Sequence, residues 1–222
     1  MIKAQQKPIA EIKALIAPYP KILILGCGTC VTISFAGGEK EVGLLASSLR
    51  IASAMEGRDK IFAEATVQRQ CEWEFIDAVS DQIQQADAVL SLACGIGVQA
   101  LAERYPDKVI LPGVNTTFLG MAVEHGVLVE RCRACGDCIL GLTGGICPIA
   151  RCAKNLLNGP CGGSQKGKCE VNPELDCAWQ LIYDRLARLG QLDRLATLMQ
   201  YKDWSKDYDG GPRRIVREDL KL

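Results

Sequence analysis

The sequence predicts an α/β fold, and three observations carry that expectation. Short apolar runs rich in β-branched residues alternate with stripes at helical spacing as far as Leu111, the pattern of βαβ units. Beyond about residue 126 the alternation stops and glycine and cysteine take over. The chain is 48% hydrophobic, enough for a real core, so its 12 cysteines are not substitutes for one. The expected architecture is an N-terminal parallel-sheet, Rossmann-like domain over residues 1–126, followed by a cysteine-rich domain with C-terminal helices over 127–222.

Each element has its own signal. Pro8 suits a first helical turn, with Ile9, Ile12, Leu15 and Ile16 on one face and Pro18 and Pro20 as the stop. Ile22 to Leu25 is an apolar strand ending in the turn Gly26-Cys27-Gly28-Thr29-Cys30. A helix from about Glu39 carries Val42, Leu45, Leu49, Ala52 and Met55. Ile61 to Val67 reads as the second strand, and Trp73, Ile76, Val79 and Ile83 as the stripe of one helix. Ala88 to Leu92 is the third strand, followed by a short helix to Tyr105, and Val109 to Leu111 the fourth. Residues 118–131 suggest a hairpin or a short linker strand, turning near His125-Gly126. Pro173 is expected to open a long helix carrying Leu175, Trp179, Ile182, Leu186 and Leu189, with a second helix from Leu192 to Met199. The tail with Gly210, Gly211, Arg213, Arg214 and Arg217 reads as a solvated terminus.

Charge excludes some roles. Lys plus Arg and Asp plus Glu both number 26, so nothing points to a nucleic-acid or membrane surface bound through bulk charge. The first 20 residues lack the apolar core of a signal peptide, and no apolar run approaches ~20 residues. A cytoplasmic protein is expected, in which thiols stay reduced and numerous thiols usually hold metal.

Eight cysteines lie between Cys132 and Cys177. Cys132, Cys135 and Cys138 repeat at C-x2-C-x2-C, which lets consecutive thiolates face one metal centre, and Cys147-Pro148 ends the run in ferredoxin-reminiscent fashion after a longer gap. With Cys152, Cys161, Cys169 and Cys177, the set matches two four-thiolate [4Fe–4S] clusters, with the division of the distal ligands open. Zinc in place of one cluster is the main alternative, because C-x2-C pairs also bind zinc.

The other four, Cys27, Cys30, Cys71 and Cys94, each follow a predicted strand. In a parallel sheet those ends share one edge, where ligands bind, so a third cluster is expected there. The weak point is Cys71, because Gln68-Arg69-Gln70 obscures the end of its strand. Cys27 and Cys30 could instead form a redox C-x-x-C pair, which leaves Cys71 and Cys94 idle. A dinucleotide site is disfavoured, since Val31 stands where the third glycine of G-x-G-x-x-G belongs. No catalytic constellation appears around His125, the single histidine.

With both groups in hand, KILILGCGTCVTISFAGGEKEV and LTGGICPIARCAKNLLNGPCGGSQKGKCEV resemble the small cysteine-rich subunits of acetogen-type methylenetetrahydrofolate reductase, and the second resembles that reductase's C-terminal domain family. The resemblance implies a heteromeric oxidoreductase complex of the Wood–Ljungdahl pathway. The chain would be its non-catalytic electron-transfer member, with flavin only on a larger partner that makes methyltetrahydrofolate. Ferredoxin or another donor complex would supply the electrons. A zinc-stapled assembly scaffold and a thiol–disulfide oxidoreductase are the rival functions.

Overall fold

The computed structural model describes residues 1–217 and 219, and the chain divides into two compact units, Met1–Val129 and the remainder from Glu130. In the first, strands β2 (Lys21–Cys27), β3 (Ile61–Val67), β4 (Ala88–Ser91) and β5 (Val109–Pro112) form a wholly parallel sheet in the order β3-β2-β4-β5. The central strand β2 explains the sandwich. Ile22, Leu23, Ile24 and Leu25 are all buried, with Ile22 and Ile24 in one apolar cluster and Leu23 and Leu25 in the other. Side chains alternate across a strand, so a continuous apolar run means both faces are covered. Each such residue contributes about 1.5–3 kcal/mol relative to leaving it exposed.

Ile12 and Ile16 meet the first cluster from α1 (Ile9–Leu15) and its end, and Val42, Leu45, Ala46 and Leu49 meet it from α3 (Glu39–Met55). The opposite face takes Ile76 of α4 (Trp73–Asp77), Ile83 of α5 (Ser80–Gln85) and Leu101 of α6 (Gly95–Arg104). The stripe from Trp73 to Ile83 is thus two short helices, broken at Ala78 and Val79. A very short helix, α2 (Cys30–Ile33), follows β2. Lys60 donates to the carbonyls of Ile16, Ala17 and Tyr19, satisfying the end of α1.

A second, antiparallel sheet has the order β1-β6-β7, with β1 (Ile2–Gln6), β6 (Val114–Glu124) and β7 (Val127–Cys132). The hairpin turns at exposed His125 and Gly126 (φ 80°), where the glycine takes a left-handed conformation that side chains resist. His125 meets Phe35 edge-on, with ring centroids 5.0 Å apart.

The second unit contains α7 (Pro148–Arg151), α8 (Ala178–Arg188) and 3-10 turns at Leu192–Ala196, Trp204–Lys206 and Tyr208–Gly210. Its long helix starts at Ala178, five residues after Pro173. The preceding segment is drawn into extended pairing, with Cys169 N donating to Leu175 O and Cys177 N to Gly167 O. Trp179, Ile182 and Leu186 are buried with Cys177 in this unit's core, whereas Leu175 and Leu189 are exposed. The Leu192 segment is a 3-10 turn over Leu192–Ala196, shorter than the expected helix. Among the described residues no helix is long and apolar enough to cross a membrane.

Candidate metal centres

The first group of thiols sits at the carboxyl edge of the parallel sheet. Cys27 is the last residue of β2, Cys30 opens α2, and Cys94 caps α6 just beyond β4. Cys27 and Cys94 are buried, Cys30 is half-buried and Cys71 is exposed. Burial pushes the Cys71 thiol up, and the charges of Cys27, Cys94 and Glu72 push it the same way against its own backbone hydrogen bond. The Cys71 sulfur is therefore within electrostatic reach of two of its expected partners. Cys27 Sγ lies 3.8 Å from Thr29 Oγ1 and 4.0 Å from Gln68 O.

Gln70 explains how Cys71 reaches that edge. Its fully buried amide donates to Leu25 O (2.8 Å) and Gly26 O (2.9 Å) and accepts from Ser91 Oγ (2.6 Å). Ser91 Oγ in turn accepts from Ala93 N (3.2 Å). One side chain thus ties the loop before Cys71 to the strand ends before Cys27 and Cys94. Gly97 completes the fit, since a Cβ there would come within 2.8 Å of Gln70 Cβ and 2.7 Å of Ala93 Cβ. Two helices that follow these cysteines are also tied together, because Arg104 of α6 forks onto Asp77 of α4 at 2.9 and 2.6 Å. Sequence reasoning passed over Gln70 and Ser91. The signal for Ser91 was a hydroxyl in an otherwise apolar strand, and Gln70 had none.

In the second unit, Cys152, Cys161, Cys169 and Cys177 line one narrow pocket together with Arg151, Lys154, Glu170 and Trp179. Local structure brings them there. Cys152 ends α7, Cys177 caps α8, and the antiparallel bridges Gln165–Lys168 and Lys168–Asp176 fold Cys169 back between them. Gly159 in the NGPCGG string lies against the Trp179 indole, where a Cβ would approach within 2.5 Å, and Trp179 Nε1 donates to Leu156 O (3.0 Å). Cys161 donates to Glu170 Oε1 (3.4 Å), and the Lys154 ammonium paired with Glu170 holds that carboxyl below its usual range.

The remaining thiols, Cys132, Cys135, Cys138 and Cys147, belong to the C-x2-C-x2-C loop and the cap of α7. Burial pushes the Arg151 guanidinium down, as does Arg131, while Asp176 and Cys147 pull it up. Backbone N–H groups point at sulfur in both groups of this unit, from Ala134 to Cys132 (3.3 Å) and from Gly163 to Cys161 (3.4 Å). Such N–H···S bonds stabilise a thiolate over a thiol and tune a metal it binds.

Among the described residues, no three Cys, His, Asp or Glu side chains are drawn together into a ready metal cage. The donor chemistry nonetheless suits soft-metal sulfur centres: thiols free of disulfides, four of them around one pocket, adjacent cations and N–H···S donors.

No curated protein and no solved structure matches the chain. Residues 111–205, which include all eight cysteines of the second unit, match the model of a family described as methylene-tetrahydrofolate reductase C terminal, and in that stretch the chain is similar to that family.

Proposed function

We propose that the chain is an iron–sulfur electron-transfer subunit of a methylenetetrahydrofolate reductase complex, of the acetogen MetV type. It passes electrons to the flavin of a partner subunit that makes methyltetrahydrofolate, in a cytoplasm where its thiols stay reduced. The observation that carries this reading is the grouping of thiols, above all the four cysteines around one pocket beside Trp179. It is supported by the similarity over residues 111–205 to a family described as methylene-tetrahydrofolate reductase C terminal.

We assign three ligand sets on this reading, the second being the thiols left over from the other two. Cys27, Cys30, Cys71 and Cys94 would hold one [4Fe–4S] cluster, Cys132, Cys135, Cys138 and Cys147 a second, and Cys152, Cys161, Cys169 and Cys177 a third. When bound, such clusters supply one-electron carriage at potentials set by charge, hydrogen bonds and solvent exposure. The chain's own residues do the rest. Thiolates anchor, Gln70 holds the Cys71 loop, the N–H groups of Ala134 and Gly163 bond to sulfur, and Arg151 and Lys154 offset negative charge.

The test uses the full chain, purified without oxygen and reduced with dithionite, mixed with the flavin-bearing reductase subunit. Once excess dithionite is removed, the flavin should bleach while the chain's own visible absorbance returns, two one-electron clusters reoxidising for each flavin reduced. A colourless chain carrying zinc would instead favour an assembly scaffold. Disulfide reductase activity without iron would favour a Cys27–Cys30 redox pair.

A further inference from the structure

We infer that Lys202 is a positioning residue that raises the reduction potential of the centre held by Cys132, Cys135 and Cys138, and that the segment around Lys206 and Arg213 straps it in place. The inference rests on the cluster reading above. Lys202 is 5% exposed, although lysine almost never is so buried without a partner. Its ammonium donates to Asp137 O (2.6 Å), in the loop between Cys135 and Cys138, and lies 3.9 Å from Asp137 Oδ2 and 5.6 Å from the Trp204 ring centroid. The Cys135 thiol donates to the same carbonyl oxygen at 3.8 Å. Sharing that oxygen, the ammonium and the sulfur are at most about 6.4 Å apart.

The rest of the tail encloses the same loop. Arg213 Nη1 donates to Ala134 O (3.0 Å) and Lys206 O (2.6 Å), and Lys206 Nζ lies 3.9 Å from Asp137 Oδ2. Gly136 (φ 77°) packs so closely on the Lys206 backbone that a Cβ would collide with it. Three cations thus surround a loop of three thiols, with two carboxylates among them: Asp137, and Asp203, which lies 3.9 Å from Lys206 Nζ, so that Lys202, bonded to the loop carbonyl itself, is the cation that bears most directly on the thiols. A desolvated cation beside a cluster favours the state with one more negative charge.

The full chain, loaded with iron, is titrated electrochemically against dithionite in native and Lys202→Met forms, each cluster taking one electron and no proton. Lys202→Met should keep its iron and lower the reduction equilibrium constant of one cluster about tenfold, ~59 mV for a one-electron couple. Lys202→Arg should stay close to the native value. Unchanged potentials with full iron overturn the inference. If Lys202→Met fails to fold, the native protein decides: with lysine 15N-labelled at Nζ, the reduced cluster's electron spin resonance should show a nitrogen coupling that survives in Lys206→Met, and its absence overturns the inference. Iron-free native protein would sink the cluster reading itself, a separate outcome.

Discussion

Replacing Gln70 by leucine keeps the side-chain volume and removes three hydrogen bonds at once: two donated to Leu25 O and Gly26 O, one accepted from Ser91 Oγ. Leu25 O keeps a second donor in Leu92 N at 2.8 Å, so the strongest penalties fall on Gly26 O and the Ser91 hydroxyl. A net bond contributes about 1 kcal/mol, and a buried group left unpaired costs ~1–3 kcal/mol. Gln70→Leu should therefore destabilise the first unit by about 3 kcal/mol, lowering its melting temperature by roughly 10 °C. Thermal unfolding of the metal-free chain reads the total, and hydrogen exchange at the ends of β2 and β4 locates it. Ser91→Ala alone should cost ~1 kcal/mol, and the double mutant should be less destabilised than the sum, because the two share a bond. In the loaded protein, the iron held with Cys71 should become labile. A Gln70→Leu protein with native melting and native exchange would refute the clamp.

Three further outcomes follow. Cys169→Ser should remove about four irons and leave the other two centres intact, the loss of one cubane; unchanged iron would contradict the grouping around the Trp179 pocket. Gly136→Ala should destabilise the second unit by ~1–3 kcal/mol, the usual cost of a side chain in a left-handed conformation, and speed exchange in the segment around Lys206. The Arg104 guanidinium, followed by the Tyr105 hydroxyl, holds the Asp77 carboxyl below its usual range. A depressed carboxyl contributes stability above its unfolded value that is lost as pH falls through the folded one. Asp77→Asn should flatten the acid limb of the stability curve, and an identical acid limb would show that the fork contributes nothing.

The parallel sheet was legible because burial on both faces writes itself as Ile22-Leu23-Ile24-Leu25, and because such runs alternate with stripes at helical spacing. Strand β1 was not. IKAQQ has no apolar alternation, and it becomes a strand only by pairing with β6, more than a hundred residues away. The start of α8 was misplaced at Pro173 because proline opens helices well, while the pairing that draws Cys169 and Cys177 together outweighs that preference. The tail read as solvated from its charge and glycine, yet Arg213 bonds to two carbonyls, and one lies in the cysteine loop. Contacts of this kind, like those of Gln70, are long-range and polar, and leave no periodic trace.

The central claim is that twelve thiols hold three iron–sulfur centres, and metal and sulfide content tests it most directly. Full chain purified without oxygen should contain about twelve irons and as many acid-labile sulfides, four of each per cubane. Zinc with no sulfide, or neither metal, would contradict it.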